Sequence, residues 1–201
     1  MVDKSQIISD QLQDSSQTVA KMVEACSEDI KKAAELIIDS YKQSGKLLLC
    51  GNGGSASQSQ HIAAEMINKF RFDRQPLAAI ALTTDTSNLT SIGNDSGFQY
   101  VFVKQIKALG KKEDVLVIIT TSDVSFSPDN THSLDLGLAL KAAKELGIKT
   151  IGMVSEKTKE ALPYLDVAVR IPSRDTPRTQ EGHITALHII CDLVEQEMFP
   201  K

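Results

Sequence analysis

The chain has 201 residues, of which 24% are charged and 41% hydrophobic, with a formal net charge of −4. That length suits one domain, which buries roughly 70% of its unfolded surface and so folds without structural metal or disulfides. The mildly acidic balance argues against nucleic-acid and membrane partners, no apolar run reaches transmembrane length, and three scattered cysteines without a CxxC pattern (Cys26, Cys50, Cys191) suit reduced thiols, so a cytoplasmic location is expected.

In chain order, residues 4–43 read as two helices. Ile7, Ile8, Leu12, Val19, Met22 and Val23 recur at three- and four-residue steps, and Ile30, Ala33, Leu36, Ile37 and Tyr41 do so after a Ser27-Glu-Asp start signal. No strand precedes them, so residues 1–44 are expected to form a helical extension that caps the domain or packs on another subunit. Strands and helices then alternate: strand Leu47–Cys50, helix Ala56–Phe70, strand Ala78–Leu82, helices Ser87–Ile92 and Gln99–Leu109, strand Val115–Thr120, helix Ser133–Leu146, strand Lys149–Val154, a short helix Thr158–Leu162, strand Val167–Ile171 and a final helix Pro177–Met198. Short, apolar strands rich in Leu, Ile and Val are the mark of a parallel sheet covered on both faces. The expectation is a single α/β domain over residues 1–201, a three-layer αβα sandwich with a five-stranded parallel sheet. Ligands of such sheets bind beyond the carboxyl ends of the strands, where the Gly51–Ser55, Thr83–Asp85 and Thr120–Ser125 turns fall.

Two of these turns have the chemistry of an anion seat. Gly51-Asn-Gly-Gly-Ser55 follows an apolar strand and opens a helix, so backbone N–H groups and a helix N-terminus face a ligand. It lacks both the dinucleotide glycine spacing and the lysine of a P-loop. Thr120-Thr-Ser-Asp-Val-Ser125 offers hydroxyls and amides, although Asp123 would repel a phosphate unless it points away. His61 and Glu65 stand four apart on the helix after the first turn, so both can reach one metal ion or one substrate. The last helix carries Arg178-Thr-Gln-Glu-Gly-His183 and then His188, with His183 read as a packing residue; His132, in a polar loop, is given no role.

CGNGGSASQSQHIAAE, IALTTD, IGNDSGF, VIITTSDVS and RTQEGHITALHIICDL together resemble the phosphoheptose isomerases, enzymes of the sugar-isomerase (SIS) fold, which is flavodoxin-like. The resemblance implies a homotetramer with its active site between subunits, converting sedoheptulose 7-phosphate to D-glycero-D-manno-heptose 7-phosphate for lipopolysaccharide heptose. It implies substrate contacts from Asn52, Gly53, Gly54, Ser55, Glu65, Asn94, Asp95, Thr120, Thr121, Ser122, Ser125 and Gln180. It further implies one zinc ion per subunit on His61, Glu65, Gln180 and His188, with Glu65 and His188 as the catalytic acid/base pair for an enediol(ate) route. Gln180 and His188 are roughly 12 Å apart along an ideal helix and about 80° around it, so sharing one ion requires a non-ideal first turn or a second subunit. The chain departs from the family at Asp123, where glycine is usual, at Lys69, where arginine is frequent, and in the extra residues Phe126-Ser-Pro-Asp-Asn-Thr-His132. The tail from Cys191 to Pro200 resembles a noncatalytic relative that binds the bacterial replication initiator. That relative lacks counterparts of Glu65 and His188, which favours the enzyme; a sugar-phosphate sensor is the third reading.

Overall fold

The computed structural model describes residues 2–201. Its elements are α1 (Lys4–Lys42), β1 (Leu47–Gly51), α2 (Gly54–Ile67), β2 (Ala79–Ala81), α3 (Thr86–Asp95), α4 (Val101–Leu109), β3 (Val115–Ile119), α5 (Leu134–Leu146), β4 (Lys149–Ser155), β5 (Val167–Ile171) and α6 (Thr176–Met198). The five strands form one parallel sheet in the order β2-β1-β3-β4-β5. This is the expected fold, and the order reverses between β1 and β3, which opens the ligand crevice at their carboxyl ends.

The period-two alternation of side chains divides the core into two layers. Leu47, Leu49, Val115, Val117, Ile119, Ile151 and Met153 face α1, α2 and α6. Leu48, Cys50, Leu116 and Ile118 face α4 and α5. Every residue of β1 and β3 is buried, as their uninterrupted apolar sequences require.

Two expected boundaries are corrected. Lys4–Lys42 form one 39-residue helix rather than two, capped by the Asp3 carboxylate on the N–H groups of Ser5 and Gln6. Ser27 does not start a helix: its hydroxyl donates to the Val23 carbonyl at 2.6 Å, one turn back, so the backbone runs on through it. Met22, Cys26, Ile30, Ala33, Ile37 and Tyr41 enter the main core, whereas Ile7, Ile8, Leu12 and Val23 are 47–69% exposed. The short helix expected at Thr158–Leu162 is absent. A 3₁₀ turn at Leu162–Tyr164 takes its place, with Pro163 inside it, and the buried Thr158 hydroxyl is instead tied to the Ser122 carbonyl at 3.1 Å.

Candidate active site

The first turn hangs from the end of β1. Gly53 has φ 54°, a left-handed conformation that glycine adopts without cost, and it lets the chain reverse directly into α2. Ser55 is buried beneath the turn, while Asn52, Gly53 and Gly54 are exposed at the crevice. The Asn52 amide donates to the Asp135 carboxylate at 2.8 Å, so the first turn of α5 holds the glycine turn in place. Burial pushes the Asp135 carboxyl above its ordinary range, against the bonds from Asn52 and the backbone. The sequence reading missed Asp135; an acid in the first helical turn beside a strand edge was the signal available.

The second turn follows β3. The Ser122 N–H donates to Thr120 Oγ1 at 3.3 Å, and the Ser155 hydroxyl donates to the Thr121 carbonyl at 3.0 Å. The Ser127 N–H donates to Ser125 Oγ at 3.1 Å. The result is a run of hydroxyls and amides fixed on the carboxyl ends of β3 and β4. The Asp123 carboxylate accepts the Glu160 N–H at 3.0 and 3.1 Å and the Val124 N–H at 3.0 Å. It is thus tied to the loop after β4.

The third grouping joins α2 to α6. His61 Nε2 lies 2.9 Å from His188 Nε2 and 3.4 Å from Glu65 Oε1. One donor atom from each of the three lies within 4.8 Å of the others. His61 is exposed, Glu65 and His188 half-buried. Burial, reinforced by His61, lowers the His188 pKa, while Glu65 opposes the shift; His188 is therefore a neutral imidazole near pH 7, able to ligate or to accept a proton. Two imidazole nitrogens and a carboxylate oxygen form the donor set of a borderline divalent cation.

A buried ion pair fixes this geometry. Arg74 Nε donates to Glu195 at 3.0 Å, with the two side chains 2% and 1% exposed. The other guanidinium nitrogens cap α2 on the carbonyls of Glu65 and Met66, at 2.9 and 2.8 Å. Glu195 also accepts the N–H groups of Phe70 and Arg71. The C-terminal end of α2 is thereby locked to α6 two turns beyond His188.

Gln180 contacts the start of α2. Its carbonyl accepts from Gln58 at 2.8 Å, and its amide packs on Gly54, where an added Cβ would lie 2.5 Å from Nε2. It thus belongs spatially with the first turn. Asn94 and Asp95, exposed at the end of α3, bond to each other at 2.8 Å. Lys69 is exposed and pairs with Asp73 at 2.9 Å. His183 is buried, as its packing role required, with its Nε2–H donating to the Val154 carbonyl at 3.1 Å.

Comparison with known proteins agrees with this architecture. The SIS domain family model matches residues 12–155. The chain is similar to the phosphoheptose isomerase of Clostridium acetobutylicum, with 53% identity over 154 residues covering 77% of this chain and 74% of that protein. Among solved structures, the phosphoheptose isomerase of Neisseria gonorrhoeae matches with TM-score 0.86 and 38% identity, covering 96% of this chain and all of that one. The phosphoheptose isomerase of Francisella tularensis matches with TM-score 0.90 and 31% identity over 97% of this chain and all of that one.

Proposed function

The chain belongs to the phosphoheptose isomerase family of SIS-domain proteins and is a sugar-phosphate isomerase, and from that premise we propose how it acts on its substrate. The reaction is the conversion of sedoheptulose 7-phosphate to D-glycero-D-manno-heptose 7-phosphate, by proton transfer between C1 and C2 through an enediol(ate). The product feeds lipopolysaccharide heptose synthesis in the cytoplasm; no helix among the described residues is long and apolar enough to cross a membrane.

The observation that carries the assignment is the spacing along α2. Gly54 opens the helix at the phosphate-suited turns, and His61 and Glu65 follow seven and eleven residues later, about 10 and 16 Å along the axis. An extended seven-carbon chain spans roughly 7.5 Å by backbone-like bond lengths, before the phosphate and the reach of the side chains are added. A phosphate seated at Asn52–Ser55 and Thr120–Ser125 therefore leaves C1 and C2 near the His/Glu/His group. Asn94, Asp95 and Gln180 are assigned to the same substrate.

Glu65 is the base that takes the carbon-bound proton, and half-burial keeps its carboxylate from full hydration. His188, a neutral imidazole, moves the proton between the two oxygens. His61, Glu65 and His188 would hold a divalent cation, which we assign as zinc from the nitrogen–oxygen donor set. Such an ion, when bound, supplies charge that polarises a carbonyl oxygen or orders the site. Gln180, whose amide packs on Gly54, is assigned as the fourth ligand. We take the assembly to be a homotetramer; the apolar residues left exposed, Ile7, Ile8 and Leu12 on α1, Ile67 on α2, and Ile189 and Leu193 on α6, support contact between copies. Substitution tests the assignment: Glu65→Gln should abolish turnover with an unchanged circular dichroism spectrum and melting temperature. An unchanged rate would remove Glu65 as the base.

A further inference from the structure

His132 is the residue that the reading above leaves without a role. It closes the extra segment 126–132, and its Nε2 lies 3.0 Å from Ser122 Oγ, inside the hydroxyl-rich turn after β3. We propose that His132 is a positioning residue for the phosphate of the substrate: its Nε2–H donates to Ser122 Oγ, leaving that hydroxyl's own proton free to point at a phosphate oxygen. The inference rests on the assignment of Thr120–Ser125 as the phosphate seat.

The segment that carries His132 is fixed at both ends. At its start, the Phe126 ring stacks on Tyr164 with centroids 4.2 Å apart, and the Lys141 ammonium lies 5.3 Å from the Phe126 centroid. Ser125 and Ser127 exchange two bonds, hydroxyl to carbonyl at 3.2 Å and N–H to hydroxyl at 3.1 Å. The Ser125 carbonyl rests on Gly137 of α5, where a Cβ would lie only 1.9 Å away, so that approach needs glycine. At its end, the His132 N–H donates to Asn130 Oδ1, Ser133 turns through a left-handed conformation with φ 50°, and Leu134 is buried. His132 is therefore delivered to Ser122 by a seated loop.

The same end of α5 reaches both anion-suited turns. His132 bonds Ser122 of the second, and Asp135, three residues on, bonds Asn52 of the first. A serine hydroxyl has one proton and two acceptor sites. When a histidine N–H fills one acceptor site, the other side-chain contact of the hydroxyl is Thr120 Oγ1 at a long 3.4 Å, which leaves the proton available to an anion.

The test combines phosphate binding with kinetics. Inorganic phosphate is titrated calorimetrically into wild type, His132→Ala, His132→Gln, Ser122→Ala and the Ser122→Ala/His132→Ala double variant, and KM and kcat for sedoheptulose 7-phosphate are measured on each. The loss of one hydrogen bond should weaken phosphate binding roughly three- to tenfold in His132→Ala. KM should rise by a similar factor with kcat within about twofold. Glutamine, which keeps an N–H donor, should recover at least half of the loss. The double variant should be no weaker than Ser122→Ala, since His132 acts through that hydroxyl. Phosphate affinity unchanged in His132→Ala, a fall in kcat without one in affinity, additive losses in the double variant, or no phosphate binding by wild type would each overturn the proposal. The titration needs no turnover, so an enzyme inactive on the heptulose would sink the reaction assignment and leave the His132 result readable.

Discussion

Removing the Glu195 carboxylate should cost more than any surface change in the molecule. Glu195→Ala strands the buried Arg74 guanidinium, which sits 3.0 Å from Glu195, and takes the acceptor from the Phe70 and Arg71 N–H groups at 2.9 and 2.7 Å. Breaking a buried pair by deleting one partner costs about 3–5 kcal/mol. With a urea slope of about 3 kcal/mol/M for a domain of this size, the midpoint should fall by about 1–1.7 M. Glu195→Gln keeps one carbonyl acceptor and should fall in between. Glu197→Ala, which removes the exposed partner of Lys42 at 3.2 Å, is the control and should stay within about 0.5 kcal/mol of wild type. Urea denaturation at fixed protein concentration reads all three. A Glu195→Ala midpoint within about 0.3 M of wild type would refute the claim that this pair locks α2 to α6.

Further outcomes follow from the same geometry. His61→Ala and His188→Ala should each lower zinc retained after dialysis by at least tenfold while leaving the far-ultraviolet spectrum unchanged; full retention in either would break the cluster assignment. His183 is held neutral by burial, which pushes its pKa down to about 4 against the opposing bond to Val154. The unfolded chain takes up a proton below about pH 6.5 that the folded chain refuses, so stability is full above that pH and falls as the pH drops toward 4. The loss attributable to His183 is about 3 kcal/mol, read as the wild-type difference between pH 7 and 4 minus that of His183→Asn. A difference that does not vary with pH would contradict the buried neutral imidazole.

The sheet was legible because β1 and β3 are short apolar runs between turn residues, and because strands buried on both faces have no other composition open to them. The His61/Glu65 pair was legible from helical spacing alone. Local signals failed where a side chain bonded in an unexpected direction: Ser27 reads as a cap, but its hydroxyl turns back to Val23 and the helix continues. Periodicity placed Ile7, Ile8 and Leu12 on an apolar face, yet it does not say whether that face meets the domain's own sheet or another surface. The contacts of Asp135 with Asn52, His132 with Ser122 and Arg74 with Glu195 join residues brought together only by the fold, so no spacing rule announces them. The partner of Asp123 escaped the sequence for the same reason, since it is the Glu160 N–H of a different loop.

The most direct test of the account is turnover of sedoheptulose 7-phosphate by the purified protein, followed by NMR, in three arms: as purified, with chelator, and with added zinc. The account predicts aldoheptose 7-phosphate as product, with the rate falling under chelator and returning with zinc. No product in any of the three arms would contradict it.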